Sequence, residues 1–188
     1  VVYQNQPVGV RTNGVQLELW QRGYQLFSKI PVFINQDGSF SASLFDGDYK
    51  LVRLRGNGPW ADNTDTINVQ VRGTTQIDVP VQPYFTISAP TFQRSGTNLT
   101  SSAQINQVVS GRTVEQVTLY VGTTQFVDAT NNAGSASLSG TAVADLSKPL
   151  SLTLATPAAV KGTAYVRLGV KTAGVAELLY TPVQQVTL

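Results

Sequence analysis

The sequence predicts an all-β protein built from two tandem β-sandwich domains, residues 1–83 and 84–188. Three features of the 188-residue chain lead there. Apolar residues recur at every second position over short runs, the spacing that sends successive side chains to opposite faces of a pleated strand. Turn-forming residues interrupt those runs every ~8 to 12 residues, as in a sandwich rather than an α/β sheet. A proline-marked break at Val81-Gln82-Pro83-Tyr84 splits the pattern into two parts, each large enough to bury its own core.

The first strand is read over Val15, Leu17 and Leu19, which alternate with Gln16, Glu18 and Trp20. Val32-Phe33-Ile34 and Phe40 then flank Asn35-Gln36-Asp37-Gly38, a hairpin signal whose glycine supplies a positive φ. Asp46-Gly47-Asp48 turns the chain ahead of Tyr49. Ile67, Val69 and Val71 form a strand, Arg72-Gly73-Thr74 a turn, and Gln76 to Val81 a closing strand in which Ile77, Val79 and Val81 alternate. Pro80 and Pro83 limit further pairing because proline has no N–H to donate. Past the break the composition shifts toward Ser, Thr and Ala. Asn98 to Val109 alternates through Ala103, Ile105 and Gln107, so it reads as strand rather than helix. Val117, Leu119 and Val121 make another strand, as do Val166, Leu168 and Val170. Two long polar stretches fall at Asp128 to Gly134 and Gly140 to Pro149.

Composition removes whole chemistries. The chain has no Cys, His or Met, so a disulfide framework, a thiol nucleophile, a zinc site and an imidazole base are all excluded. Charged residues are 13%, about half the ~25% of an ordinary soluble domain. No apolar run approaches the ~18 residues of a membrane span. The net charge is +2 with no run of Lys or Arg, so nucleic acid is not an expected partner. The chain opens at Val1 without Met or a leader, which reads as a mature or trimmed form of a longer precursor.

Three strings in the first half carry a resemblance: Gly14-Val15-Gln16-Leu17-Glu18-Leu19, Asn35-Gln36-Asp37-Gly38-Ser39-Phe40, and Leu44-Phe45-Asp46-Gly47-Asp48-Tyr49-Lys50-Leu51. Together they resemble the carboxypeptidase-regulatory, or transthyretin-like, sandwich, with Phe40 and Tyr49 bracketing two turns. The second half, through Ala164-Tyr165-Val166-Arg167-Leu168-Gly169-Val170 and Leu179-Tyr180-Thr181-Pro182-Val183-Gln184-Gln185-Val186, completes a whole-chain resemblance. It is similar to the two-domain surface lipoproteins of Bacteroidetes that carry domain of unknown function 3823. That resemblance implies a transthyretin-like first domain and an Ig-like second one. It also implies a lipid-tethered outer-membrane protein of the cell surface, often encoded near glycan-uptake receptors, with no reaction, cofactor or catalytic residue to carry over.

Candidate sites follow from residue types. Asp46 with Asp48, and Asp62 with Asp65, are the closest carboxylate groupings, but both lie in turn-like sequence, where Asp bonds nearby backbone amides. Asn35, Asp37 and Ser39 alternate as in a calcium loop, yet no Glu follows at the twelfth position, so no metal site is expected. No serine-elbow, Ser-x-x-Lys or phosphate-loop pattern occurs. The aromatic residues are the best candidates. Trp60 sits in the loop Gly56-Asn57-Gly58-Pro59-Trp60-Ala61-Asp62-Asn63, and Trp20 falls on the polar side of its strand with Tyr24 nearby. Indole and phenol rings stack on the apolar faces of sugars and also anchor protein interfaces. The competing reading has Trp60 folding back over one end of its sandwich and Trp20 packing on the other domain. Asp65-Thr66-Ile67 resembles the short O-glycosylation acceptor motif of this bacterial group, with Thr66 as acceptor.

The expectation is a non-enzymatic surface lipoprotein without cofactors, an accessory or scaffold in outer-membrane glycan uptake. Its expected partners are a glycan and outer-membrane receptor proteins, with membrane contact only through a lipid anchor outside this chain. The alternatives are a carbohydrate-binding module using Trp60, Trp20 and Tyr24, and an adhesin-like spacer.

Overall fold

The structure, a computed structural model, describes residues 1–23 and 28–188. The first domain carries β1 (Val2–Tyr3), β2 (Gln6–Pro7), β3 (Gln16–Gln21), β4 (Lys29–Phe33), β5 (Gly47–Arg53) and β6 (Thr66–Val71). The last four form one antiparallel sheet in the order β4-β3-β5-β6. Its inner face is the alternation read from the sequence: Leu17 and Leu19 stand opposite Arg53 and Leu51, and Tyr49 opposite Val69. A second layer is made by the β1-β2 hairpin and by residues 79–81. Val2 donates to the Val79 carbonyl and Val81 donates to the Val2 carbonyl, both at 2.9 Å. Val8, Val10, Val79 and Val81 meet the sheet in one buried cluster.

Two expectations change here. Gln76 to Val81 is not a strand: it makes a single parallel bridge, Val2 to Pro80. Pro80 has no amide hydrogen, and its carbonyl is occupied by Arg53 Nη1 at 2.5 Å, so the pairing cannot propagate. The Asn35–Gly38 turn forms, with Gly38 at φ +84° and its N–H 3.0 Å from the Asn35 carbonyl. No second strand follows it. Residues 39–46 run as coil, and Phe40 packs at the margin of the core.

The second domain holds β7 (Phe85–Ser95), β8 (Asn98–Gln107), β9 (Val114–Gly122), β10 (Gly134–Ser139), β11 (Leu150–Ala155), β12 (Thr163–Thr172), β13 (Leu179–Tyr180) and β14 (Gln184–Thr187). One sheet runs β10-β9-β12, with β13 and β14 both paired to β12; the other runs β11-β8-β7. Val117, Leu119 and Val121 of β9 and Val166, Leu168 and Val170 of β12 face Leu99, Ala103 and Ile105 of β8 in a second core. The described residues form an all-β pair of sandwiches, with one short 3₁₀ turn among them at Gly140–Val143.

The two cores are distinct but not independent. Leu179 of β13 is buried in the first domain's core, and the Tyr180 amide donates to the Gly9 carbonyl at 3.0 Å. Arg11 Nη2 meets Glu177 Oε1 at 2.7 Å across the junction. At its centre lies Arg167, 0% exposed, on the outward side of β12. Its guanidinium donates to Thr181 O at 3.0 Å and Val127 O at 3.4 Å in its own domain. It also donates to Val10 O at 3.4 Å and Gln36 O at 3.2 Å in the first domain. The Tyr180 ring lies 4.3 Å beneath it. Among the described residues Arg167 joins no ion pair, so backbone carbonyls and a ring face replace the missing carboxylate.

Burial leaves a titration signature. It pushes Arg167 down to about 10 and drives the Tyr180 and Tyr120 phenols up. A phenol whose folded value is raised stabilises the fold fully below its unfolded value of about 10. That contribution is lost as the pH climbs from there through the folded value. Arg167, held low, acts in the opposite sense over the same window. Two tyrosines oppose one arginine, so folding stability is expected to fall above about pH 10. Denaturant midpoints across that range, followed with phenolate absorbance, check this: some of the seven tyrosines should ionise only on unfolding. A midpoint that rises with pH above 10 would reverse the sign.

Candidate functional site

The outward face of the first domain's sheet gathers side chains that the sequence scatters. Antiparallel register places Lys29, Trp20, Lys50 and Asn68 in a single row across β4, β3, β5 and β6. The neighbouring row is Pro31, Glu18, Val52 and Thr66, and Asp48 stands opposite Gln70 beyond the first. Alternation accounts for this face, because each of these residues is one step from a buried partner such as Leu19 or Leu51.

Trp20 is the centre of the row and half-buried. Its indole N–H donates to Glu18 Oε2 at 3.2 Å, and the other Glu18 oxygen receives Lys29 Nζ at 2.7 Å. Glu18 is 6% exposed, so a largely buried carboxylate in the neighbouring row orients the indole. Across the row, Lys50 Nζ donates to Asn68 Oδ1 at 3.1 Å. Asp48 Oδ1 receives Gln70 Nε2 at 3.2 Å and Arg72 Nη2 at 3.4 Å. These side chains border a shallow hollow of about 560 Å³, lined by Trp20, Arg22, Asp48, Lys50, Asn68 and Gln70 with the backbone beneath them. An aromatic surface ringed by amides, cations and one carboxylate can stack a flat apolar ring face and bond several hydroxyls around its edge.

The other sequence candidates go elsewhere. Trp60 is not an exposed platform: it is 4% exposed and belongs to the first core. Its loop is clamped to the interdomain segment by Ala61 N to Gln82 O at 2.8 Å and Tyr84 N to Pro59 O at 3.1 Å. Gly58 allows the fold-back, since a Cβ there would overlap the indole ring. Tyr24 lies outside the described residues. Thr66 is exposed at the start of β6, on the Trp20 face but one row away. Asp46 accepts the Gly73 amide at 2.9 Å and Asp62 the Gly56 amide at 2.7 Å; each fixes a loop. Among the described residues no group of three or more acidic side chains is placed to hold a metal.

A larger cleft, about 790 Å³, opens between the sheet and the coil at 39–46 and 73–78. Phe40, Leu44, Val69, Val71 and Ile77 make its walls, continuous with the first core. Of the sequence candidates, Asp37 and Ser39 line it, where Asp37 Oδ1 accepts the Ser39 amide at 2.9 Å. The residues missed by sequence reasoning are those beside Trp20, above all Lys50, Asn68 and Glu18. The period-two pattern puts Glu18 beside Trp20 on one strand face, but only strand register brings Lys50 and Asn68 into the same row.

The family model described as the N-terminal domain of a protein of unknown function, DUF3823, matches residues 1–82. The model for its companion domain of unknown function, DUF3823_C, matches residues 85–185. No curated protein matches the chain. A DUF3823 family protein from Bacteroides ovatus is 38% identical, with 100% of this chain and 96% of that one covered at a TM-score of 0.92. A DUF3823 family protein from Parabacteroides merdae is 34% identical, with 99% and 94% covered at 0.90. At 16% identity, a "putative carbohydrate binding protein" from Bacteroides uniformis shares the fold, with 98% and 93% covered at 0.79.

Proposed function

This chain belongs to the DUF3823 family, and on that premise we propose that it is a non-catalytic, surface-displayed accessory of glycan uptake that contacts glycan through the Trp20 face. The observation that carries the reading is the indole held by Glu18 in the row Lys29-Trp20-Lys50-Asn68. A ring fixed before binding loses little freedom when a sugar stacks on it. Both carboxylates of the face are engaged, Glu18 by Trp20 and Lys29 and Asp48 by Gln70 and Arg72, which suits recognition better than acid–base exchange. The fold shared with the Bacteroides uniformis protein adds support at the level of architecture. The resemblance to lipid-tethered surface proteins supports, as part of this proposal, a position at the outer membrane near a receptor.

Affinity electrophoresis against a polysaccharide panel tests the reading. Trp20→Ala is expected to weaken retention about tenfold or more, as loss of a central aromatic contact does, while leaving the melting temperature nearly unchanged. No retention on any polysaccharide would sink it. A second reading, a rigid spacer that holds a partner off the membrane, is favoured by the Arg167 and Leu179 junction. It predicts co-purification with a neighbouring surface receptor after crosslinking of intact cells, and solitary recovery would count against it.

A further inference from the structure

We infer that the sugar taken by the Trp20 face is an acidic one, carrying a carboxylate or sulfate beside the ring that stacks on the indole. This rests on the glycan reading above and narrows it.

Charge accounting around the hollow carries the inference. Two cations, Arg22 and Lys50, and one anion, Asp48, line the hollow, and the pairs Lys29–Glu18 and Arg72–Asp48 add two cations and one anion at its margin. Each anion has a cationic partner of its own. The two Glu18 oxygens are taken by the Trp20 indole at 3.2 Å and by Lys29 at 2.7 Å. Asp48 Oδ1 is shared by Gln70 at 3.2 Å and Arg72 at 3.4 Å. Lys29 and Arg72 are therefore answered within the protein. Arg22 and Lys50 are not: among the described residues neither joins an ion pair, and Lys50 has only the neutral Asn68 oxygen at 3.1 Å. Both line the hollow with Trp20, and Lys50 stands directly opposite it in the β3-β5 register.

A surplus of two cations at the rim of an aromatic platform has a chemical complement. The ring of a uronic acid or sulfated sugar offers an apolar face to the indole and an anionic substituent at its edge, where an ammonium and a guanidinium wait. A neutral sugar meets the same indole and the same amides, but leaves both cations to solvent. Exposed ion pairs are individually weak, so the discrimination is modest, about tenfold for the two together, and it weakens with salt.

The test uses the full chain and calorimetric titration with two acidic oligosaccharides, oligogalacturonate and chondroitin sulfate. Each is paired with its neutralised counterpart, methyl-esterified oligogalacturonate and desulfated, carboxyl-reduced chondroitin. The expected result is binding of at least one acidic probe about tenfold tighter than its counterpart. The preference should shrink as salt rises and should fall about threefold in Lys50→Gln or Arg22→Gln, both exposed substitutions that leave the fold intact. Equal, salt-independent binding of a probe and its counterpart would overturn the acidic-sugar inference and leave the glycan reading standing. An acidic preference that survives in the double variant would overturn the assignment to these cations. Binding of none of the four probes would overturn the inference, and if the polysaccharide panel also gives no retention the glycan reading falls with it.

Discussion

Arg167→Ala is expected to cost about 3–5 kcal/mol and to split one unfolding transition into two. The magnitude is that of several buried carbonyls losing their donor at about 1–3 kcal/mol each, reduced by relief of the arginine's own desolvation. The truncation strips donors from four carbonyls, Val10, Gln36, Val127 and Thr181, and removes the cation from the Tyr180 ring. Each buried acceptor left without a donor costs about 1–3 kcal/mol unless water replaces it. Arginine is itself expensive here, since burial pushes it down to about 10, so part of the gross loss is offset by relief of that desolvation. The split follows from geometry: Val10 and Gln36 belong to the first domain, the others to the second. Arg167→Lys should fall between, because one ammonium reaches fewer carbonyls than a planar fork. Denaturant unfolding followed by fluorescence and by circular dichroism gives the answer. Coincident transitions with less than ~1 kcal/mol lost would show that the guanidinium is not what joins the domains.

Trp60→Ala is expected to cost about 3–5 kcal/mol, the range for removing a large aromatic side chain from a packed core. Against a typical total of ~5–15 kcal/mol, that endangers folding at physiological temperature. The indole occupies the end of the first core next to the interdomain segment, with Gly58 and the Trp60–Pro83 bridge holding it there. The cavity cannot collapse easily, because its loop is tied at both Ala61 and Pro59. Trp60→Phe should lose less and fold. That variant separates the two tryptophans functionally: it should retain polysaccharide like the parent, whereas Trp20→Ala should not. Loss of retention in a well-folded Trp60→Phe protein would return Trp60 to the list of contact residues.

The strands legible in the sequence are β3, β6, β9 and β12, in which alternation uses large aliphatic residues, and β8, read from the weaker alternation around Ala103 and Ile105. β10, Gly134–Ser139, draws most of its positions from Ser and Ala, so its pattern is too shallow to read. β11, Leu150–Ala155, does alternate, through Leu150, Leu152 and Leu154, and is a strand that sequence reasoning missed. β7 is interrupted by a shift of register between Ser88 and Thr91. Residues 76–81 mislead for the converse reason: alternation reports which side chains are buried, not whether the backbone pairs, and Pro80 breaks the second without disturbing the first. The candidate site divides along the same line. That Trp20 faces outward follows from its own neighbours in sequence. That Lys50 and Asn68 flank it depends on register set thirty and more residues away. Trp60 could not be placed from its loop composition, since only the space above Gly58 and the clamp on Gln82 decide whether it turns in or out. The whole-chain resemblance anticipated the family, although the strings that carry it are mostly turn and core, with only Glu18, Asp48 and Lys50 belonging to the Trp20 face.

The break in β7 has a consequence for a molecule crowded among its own copies. β7 is the outer strand of β11-β8-β7, and its far side is a row of donors and acceptors of the kind that can zip onto another chain. Ala89 at φ +48° and Pro90 sit in the middle of that row, kinking it and deleting one donor. A second molecule approaching edge-on finds no continuous ladder to extend, so dense arrays of this protein can stay unaggregated while both sandwiches remain intact.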